Sequence, residues 1–387
     1  MTPSGGGRSR AVVVTLDACG VGALPDAADY GDAGTATLPH LADAVGGLRL
    51  PTLEALGLGS IVPIAGVAPV AEPHGVHGRL APEGPGKDST TGHWELMGRP
   101  APVAPPTYPD GFPAAIVEQL VAVTGHAFCC NRPYDGIGAI DDFGEHHLAT
   151  GELILYTSQD SVLQVAAHDR VLGEDALRDA CAAIRREMTG EHTVGRVIAR
   201  PFTGEPGAFE RTAGRRDFAV EPPGPTVLDA LAEAGVPVHG VGKIRDLFAG
   251  RGVTDHHPAP GNAEALAVTS ALMADLDTGF VFTNLIDTDQ VFGHRKDVEG
   301  FHDALREIDL AVAGWLAHLR AGDLLVLTAD HGCDPASAHS DHTREYVPLL
   351  ATGPGVIPRR HDGAMADVGA TVLRRLTGRG AFGEPFA

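Results

Sequence analysis

Asp330 and His331 stand side by side, and Asp341 and His342 repeat the pair after a short Pro/Ser/Ala loop. A carboxylate next to an imidazole offers a hard and a borderline donor to a divalent cation. Three more carboxylates, Asp17, Asp287 and Asp289, follow apolar runs, and His294 lies shortly beyond the last of them. A separate stretch, Gly84-Pro-Gly-Lys-Asp-Ser-Thr-Thr-Gly-His-Trp-Glu, gathers the hydroxyls of Ser89, Thr90 and Thr91 beside Lys87, Asp88 and His93. A hydroxyl is a weak nucleophile at its ordinary pKa and needs a base or a metal to activate it. Read as structure alone, Ser89 would cap a helix with Glu95 near its first turn. The two roles are compatible, because a helix N-terminus also stabilises a phosphate on the capping hydroxyl.

The elements that must position these groups are short and apolar. Ala11 to Leu16 (AVVVTL), Gly279 to Ile286 (GFVFTNLI) and Leu324 to Leu327 (LLVL) read as strands buried on both faces. Each runs into acidic residues, and the carboxyl edge of an open α/β sheet is where such folds bind ligands. Carboxylates and imidazoles at successive strand ends can build two adjacent metal sites. Mixed ligation of this kind suits Mn, Zn or Fe more than Mg or Ca. Two metals facing one hydroxyl favour in-line displacement at phosphorus.

Alternating strands and helices predict a mostly parallel sheet sandwiched by helices. Proline-rich stretches at Arg99–Pro106 and Pro222–Pro225 bracket a segment with its own strand and helix pattern. The expected organisation is therefore a core from 1–99 and 222–387 with an inserted α+β domain over 100–221. Within the insert, Arg196, Arg200, Arg211, Arg215 and Arg216 cluster around one predicted strand and the loop after it.

The chain has 387 residues, a formal charge of -21 and 43% hydrophobic residues. That charge argues against nucleic acid or an anionic membrane as partner, and leaves local Lys, Arg and metal to bind a phosphorylated substrate. Five cysteines form no paired framework, which predicts reduced thiols in a cytoplasmic protein. Cys333 is expected to be a small buried residue rather than a ligand. Residues 1–10 read as a flexible leader without a signal peptide, and no apolar run is long enough to span a membrane.

Several segments carry a resemblance to one family: Gly86–Gly98, Tyr156–Val162, Val194–Phe202, Gly242–Ile244, Asn284–Arg295, Ala329–Asp334 and Asp341–Pro348. In this order, over nearly the whole chain, they resemble the phosphopentomutase branch of the alkaline phosphatase superfamily. The resemblance implies an alkaline phosphatase-like core, with the insert as a cap that closes over the active site. It places Asp17, Asp330 and His331 on one metal, and Asp289, His294 and His342 on the other, usually Mn²⁺, with other divalent metals possible. Asp287 becomes a neighbour, and Asp341 a supporting residue. The phosphorylated nucleophile falls on Ser89, where many members have Thr; Thr91 aligns with a position that is not the nucleophile. Ser158, Asp160, Arg196, Arg211 and Lys243 match positions that contact the pentose phosphate. The implied reaction interconverts ribose 1-phosphate and ribose 5-phosphate, and their deoxy counterparts, with a sugar bisphosphate as activator. The family is usually monomeric. The alternatives within the superfamily are a metal-dependent phosphatase or another phosphomutase. Outside it stands a non-catalytic metal-binding protein, which leaves the arginine cluster unexplained.

Overall fold

The computed structural model describes residues 9–158 and 161–387. Most of the expected leader, and Asp160, lie outside the described residues. The chain forms two compact units, one of residues 9–103 and 222–387, the other of residues 104–221.

In chain order, the first unit begins with strands β1 (Arg10–Leu16) and β2 (Val76–Ala81). The second unit holds β3 (Phe128–Pro133), β4 (Leu153–Thr157), β5 (Val162–His168), β6 (Arg196–Glu205), β7 (Ala208–Arg211) and β8 (Arg216–Ala219). The first unit then resumes with β9 (Val238–Val241), β10 (Asp255–His257), β11 (Gly279–Leu285), β12 (Leu324–Thr328) and β13 (Val347–Thr352). Two short strands, β14 (Arg359–Arg360) and β15 (Gly363–Ala364), complete it.

The first unit's sheet runs β10-β9-β11-β1-β12-β13-β2-β14, with β15 also paired to β2. The five strands from β10 to β12 are mutually parallel, and β13 turns antiparallel to both its neighbours. Parallel central strands need cover on both faces, so β1, β11 and β12 are buried along their whole length. Helices Val298–Leu316 and Ala366–Thr377 are among those supplied by this unit. No helix among the described residues is long and apolar enough to cross a membrane.

Arg10 anchors the start of β1 from inside the protein. Its Nε donates to Asp323 Oδ1 at 3.0 Å, Nη2 pairs with Asp323 Oδ2, and Nη1 donates to the Met273 carbonyl. Removing one partner of a buried pair leaves the other charge uncompensated. Arg10→Ala is therefore expected to destabilise by about 3–5 kcal/mol. The check is urea unfolding, with a lower midpoint and an unchanged slope.

The second unit's sheet runs β3-β4-β5-β6-β7, with β8 also paired to β6. Alternation along the strands splits its core. Leu153, Leu155, Leu163 and Val165 pack with Leu120, Leu177 and Ile184 from helices Ala114–Thr124 and Glu174–Glu187. Ile154, Tyr156, Ala166 and Phe202 pack on the other face with Ala139 and Ile140 of helix Gly138–Thr150.

His147 of that last helix is fully buried. Its Nδ1 lies 2.6 Å from the Glu152 carbonyl, and its Nε2 accepts from the His168 amide at 2.8 Å. Burial lowers its pKa from the usual 6.5. The unfolded chain therefore takes up the proton first. Its stability contribution is complete above pH 6.5 and declines as pH falls from there through the lowered folded value. His147→Asn is expected to unfold at lower temperature at pH 7.5, and to lose less than the wild type on acidification to pH 5. Thermal melts at the two pH values measure both.

Candidate functional site

Strands β11, β1 and β12 are neighbours at the sheet centre and run parallel, so their last residues emerge at one edge. Asp17 follows β1, Asp330 and His331 follow β12, and Asp289 sits in a single π-helical turn, Thr288–Gly293, just after β11. Such turns recur at functional sites because they re-aim a side chain without ending the chain's course. His342 reaches the same place because Gly332 and Thr343 exchange two backbone hydrogen bonds, which fold the loop 332–343 back on itself. The rings of His331 and His342 stack with centroids 3.9 Å apart.

Two ligand groups result. In the first, His331 Nε2 lies 3.4 Å from Asp17 Oδ1 and 3.5 Å from Asp330 Oδ2. In the second, Asp289 Oδ1 lies 3.3 Å from His342 Nε2 and 3.5 Å from His294 Nε2, and the two imidazole nitrogens are 3.2 Å apart. The outward nitrogens are occupied. His331 Nδ1 meets the Gly332 carbonyl at 3.1 Å, and His294 Nδ1 meets the Ser340 carbonyl at 2.7 Å. A carbonyl accepts only, so in each neutral ring the proton sits on Nδ1, and Nε2 presents a bare lone pair to a carboxylate.

That arrangement opposes acceptor to acceptor. Asp17 Oδ1, Asp289 Oδ1 and Asp330 Oδ2 are buried without a hydrogen-bond partner. Buried acceptors left in this state are costly, and a cation is the kind of partner that would satisfy them. The donor set of carboxylates and imidazoles fits borderline divalent metals.

Without metal, the electrostatics are uneven. Burial, then the carboxylates of Asp330 and Asp289, push the Asp17 pKa well above the usual carboxylate range. Burial also pushes Asp289 and Asp330 upward, but neighbouring imidazoles in their charged form outweigh it and hold both below the usual range: His342, His331 and His294 for Asp289, His331 and His93 for Asp330. Asp17 is thus the carboxylate whose charge is least favoured in the metal-free site.

Ser89 opens helix Ser89–Leu96, and its Oγ lies 3.1 Å from His331 Nε2. Sequence alone offered Ser89 as the helix cap; the cap is Asp88, whose carboxylate accepts from the Thr90 and Thr91 amides. This leaves the Ser89 hydroxyl to face His331 of the first group. Thr91 Oγ1 instead donates to Asp88 Oδ2 at 2.7 Å. His93, one turn on, is fully buried. Its Nδ1 lies 2.8 Å from the Ser89 carbonyl and 3.2 Å from Asp330 Oδ2. Asn284 holds Asp17 from the other side, donating to its Oδ2 at 2.8 Å. His93 and Asn284 thus hold Asp330 and Asp17, two of the candidate ligands, in place.

The loop before Ser89 is held in place by residues to which the sequence reading gave no role. Arg344, buried, donates from Nη1 to the carbonyls of Gly84 and Gly86, each at 2.7 Å, and pairs with Asp26. Its guanidinium lies 5.0 Å from the Tyr30 ring centroid, and the Tyr30 hydroxyl donates to the Pro85 carbonyl. Three consecutive carbonyls are thereby fixed. Asp32, fully buried, takes Lys87 Nζ at 2.9 Å, the Arg344 amide at 2.8 Å and His339 Nε2 at 3.0 Å. One carboxylate thus ties the loop before Ser89 to the segment that carries His342.

The remaining residues take the following places. Asp287 accepts from the Asn262 amide and Asp341 from the His342 amide. Cys333 is buried beside Asp289 and His294, and burial raises its thiol pKa. Lys243 follows β9, donates to Gln290 Oε1 at 3.3 Å, and acts electrostatically on Asp17. Ser158 follows β4 in the second unit. In the same unit, Arg196, Arg200 and Arg215 surround Asp217; burial pushes its carboxyl up, but they hold it below the usual range. For the fully buried Tyr156 burial wins: it raises the phenol's pKa although Arg200, Arg211 and Arg215 pull it down, and the hydroxyl has no hydrogen-bond partner. Arg200, Arg215 and Tyr156 thus lie in the same electrostatic cluster as Arg196 and Arg211.

Residues 9–378 match the metalloenzyme superfamily model. The phosphopentomutase of Caldanaerobacter subterraneus subsp. tengcongensis is 48% identical over 366 residues, covering 94% of this chain and 93% of that one. The phosphopentomutase of Anaeromyxobacter dehalogenans strain 2CP-1 is 48% identical over 384 residues, covering 97% and 98%. Among solved structures, a Leishmania mexicana phosphoglycerate mutase superposes with a TM-score of 0.48 at 15% identity, covering 95% of each chain. The chain belongs to the phosphopentomutase family, within the metalloenzyme superfamily.

Proposed function

We propose that this chain is an isomerase that interconverts α-D-ribose 1-phosphate and D-ribose 5-phosphate, and the 2-deoxyribose phosphates, through a phosphorylated Ser89. Dependence on divalent metal comes with the superfamily. The finer reading is two Mn²⁺ ions, one held by Asp17, Asp330 and His331, the other by Asp289, His294 and His342. The observation that carries the proposal is the Ser89 hydroxyl at 3.1 Å from His331 Nε2, beside three buried carboxylate oxygens that lack hydrogen-bond partners.

Bound metal would lower the pKa of the Ser89 hydroxyl and offset the charge of the transferring phosphoryl group. The protein's own groups do the rest. Phospho-Ser89 gives its phosphoryl to the free hydroxyl of the pentose phosphate, at C5 or C1, breaking the Ser Oγ–P bond and forming a sugar bisphosphate. The bisphosphate reorients and returns its other phosphoryl to Ser89 Oγ. Arg344, Asp32 and Asp88 keep Ser89 in one position through both transfers. Arg196, Arg211 and Lys243 would bind the phosphate that is not moving, the arginines by bidentate contact. Ser158 and Asp160 would contact the sugar. The insert would act as a cap, keeping water from the phosphoserine. A sugar bisphosphate would prime the enzyme, and the enzyme would work as a cytoplasmic monomer.

The test is conversion of ribose 1-phosphate to ribose 5-phosphate with and without Mn²⁺, with free phosphate followed in parallel. Isomerisation without phosphate release is expected. Stoichiometric phosphate release would establish a phosphatase instead.

A further inference from the structure

A third ligand group lies in the second unit, on residues to which the proposed reaction gives no role. Cys129 on β3, His146 on helix Gly138–Thr150 and Glu152 just ahead of β4 present Sγ, an imidazole nitrogen and a carboxylate oxygen within 4.8 Å of one another. We propose that Cys129, His146 and Glu152 bind one thiophilic divalent cation of the Zn²⁺ class, with water as the fourth ligand, and that this ion staples the second unit together.

Ligand chemistry is the first support. Thiolate, imidazole and carboxylate are the three donor types that Zn²⁺ takes, and three protein ligands plus water is a known coordination number for it. Bonds of roughly 2.0–2.3 Å put tetrahedral ligand atoms about 3.3–3.8 Å apart, so small side-chain adjustments complete the cage. The carriers are already held. The Glu152 amide donates to Thr150 Oγ1 at 3.2 Å, its carbonyl pairs with His147, and Cys129 Sγ lies 3.6 Å from the Leu153 carbonyl. Access is open, with the His146 and Glu152 side chains 47% and 36% exposed. Without an ion, His146 Nε2 and Glu152 Oε2 meet at 2.7 Å and Cys129 stays outside that pair.

Topology separates this group from the sugar-binding candidates. Cys129 pairs with Ile154 near the start of β4, whereas Ser158 follows the other end of that strand. Its role is therefore cohesion: one ion joins β3, the helix and the entry to β4. The coordination step is balanced by proton release. Burial, then Glu152, push the Cys129 thiol up to about 11. Binding at neutral pH breaks S–H, forms S–metal and passes one proton to the buffer.

The experiment uses the full chain, stripped with chelator and titrated with Co²⁺ as a spectroscopic substitute for Zn²⁺. A near-ultraviolet thiolate-to-cobalt charge-transfer band is expected in the wild type and in Cys333→Ser, and is expected to vanish in Cys129→Ser. Zn²⁺ calorimetry should count one site fewer in Cys129→Ser, and binding at that site should weaken by ~100-fold or more in His146→Gln. Cys129→Ser is expected to turn over normally with Mn²⁺, which shows that the variant folds. Equal metal counts in wild type and Cys129→Ser would overturn the proposal. So would a band that survives in Cys129→Ser, or one lost in Cys333→Ser.

Discussion

Ser89→Ala is expected to lose turnover by ~10⁴-fold or more, as nucleophile deletions do when no other group can replace them. The structure removes the obvious substitute. Thr91 Oγ1 is committed to Asp88 and the side chain is buried, so it cannot take over the phosphoryl group. Alanine is the better helix former, so the first turn should survive the change. The metal-induced rise in melting temperature should survive too, because the carboxylates and imidazoles of both ligand groups are unchanged. Ser89→Thr, which keeps a hydroxyl at the same position, should retain turnover. Phosphopeptide mapping decides the matter. Phosphate on Thr90 or Thr91, or near-normal turnover in Ser89→Ala, would sink the assignment.

Asp17→Asn should have opposite effects with and without metal. Asn284 already donates to Asp17 Oδ2, so an asparagine here would turn its carbonyl to Asn284 and its NH₂ toward His331 and Asp330. There the NH₂ finds acceptors that had no donor. It also removes one of three carboxylates crowded in a buried site. The metal-free variant should therefore melt higher than metal-free wild type. With metal present the order reverses. A ligand charge is gone, and metal affinity should fall by at least ~100-fold, the upper end of what losing a mere supporting partner costs. At 100 times Kd a bound ligand adds about 2.7 kcal/mol to stability, and the variant forfeits that together with turnover. Melts in EDTA and in Mn²⁺ read both halves. A variant less stable than wild type in EDTA would show that the crowded carboxylates are not under strain.

The central strands were legible because parallel strands buried on both faces are spelled as continuous apolar runs, as in Ala11–Leu16 and Leu324–Leu327. Their acidic endings stood out for the same reason. Strands β2 and β5 did not. VHGRLA and VLQVAAH carry polar residues that become tolerable only through distant partners, such as Gln164 with Arg200. The antiparallel turn of β13 has no signature of its own. At the site, the residue types pointed to metal chemistry, but Asp32 and Arg344 gave no signal. Their value lies in contacts between positions that are 312 residues apart, and local spacing cannot show that. The helix cap could have been Asp88 or Ser89 on spacing, and only backbone geometry separates them.

The place of β1 in the sheet sets a timetable for the protein's making. It lies between β11 and β12, and Arg10 pairs with a residue 313 positions later. At ribosomal rates of about 5–20 residues per second, β1 waits roughly 15–60 s for that neighbour to be synthesised. Until β11 emerges, an apolar strand with no partner on either edge must be kept from aggregating, and until β12 follows one edge stays open. Neither ligand group can close before residue 331 or 342 has left the ribosome. The insert at 104–221, built from contiguous chain, faces no such delay. It is free to fold first, and metal loading becomes one of the last events in the life of the nascent enzyme.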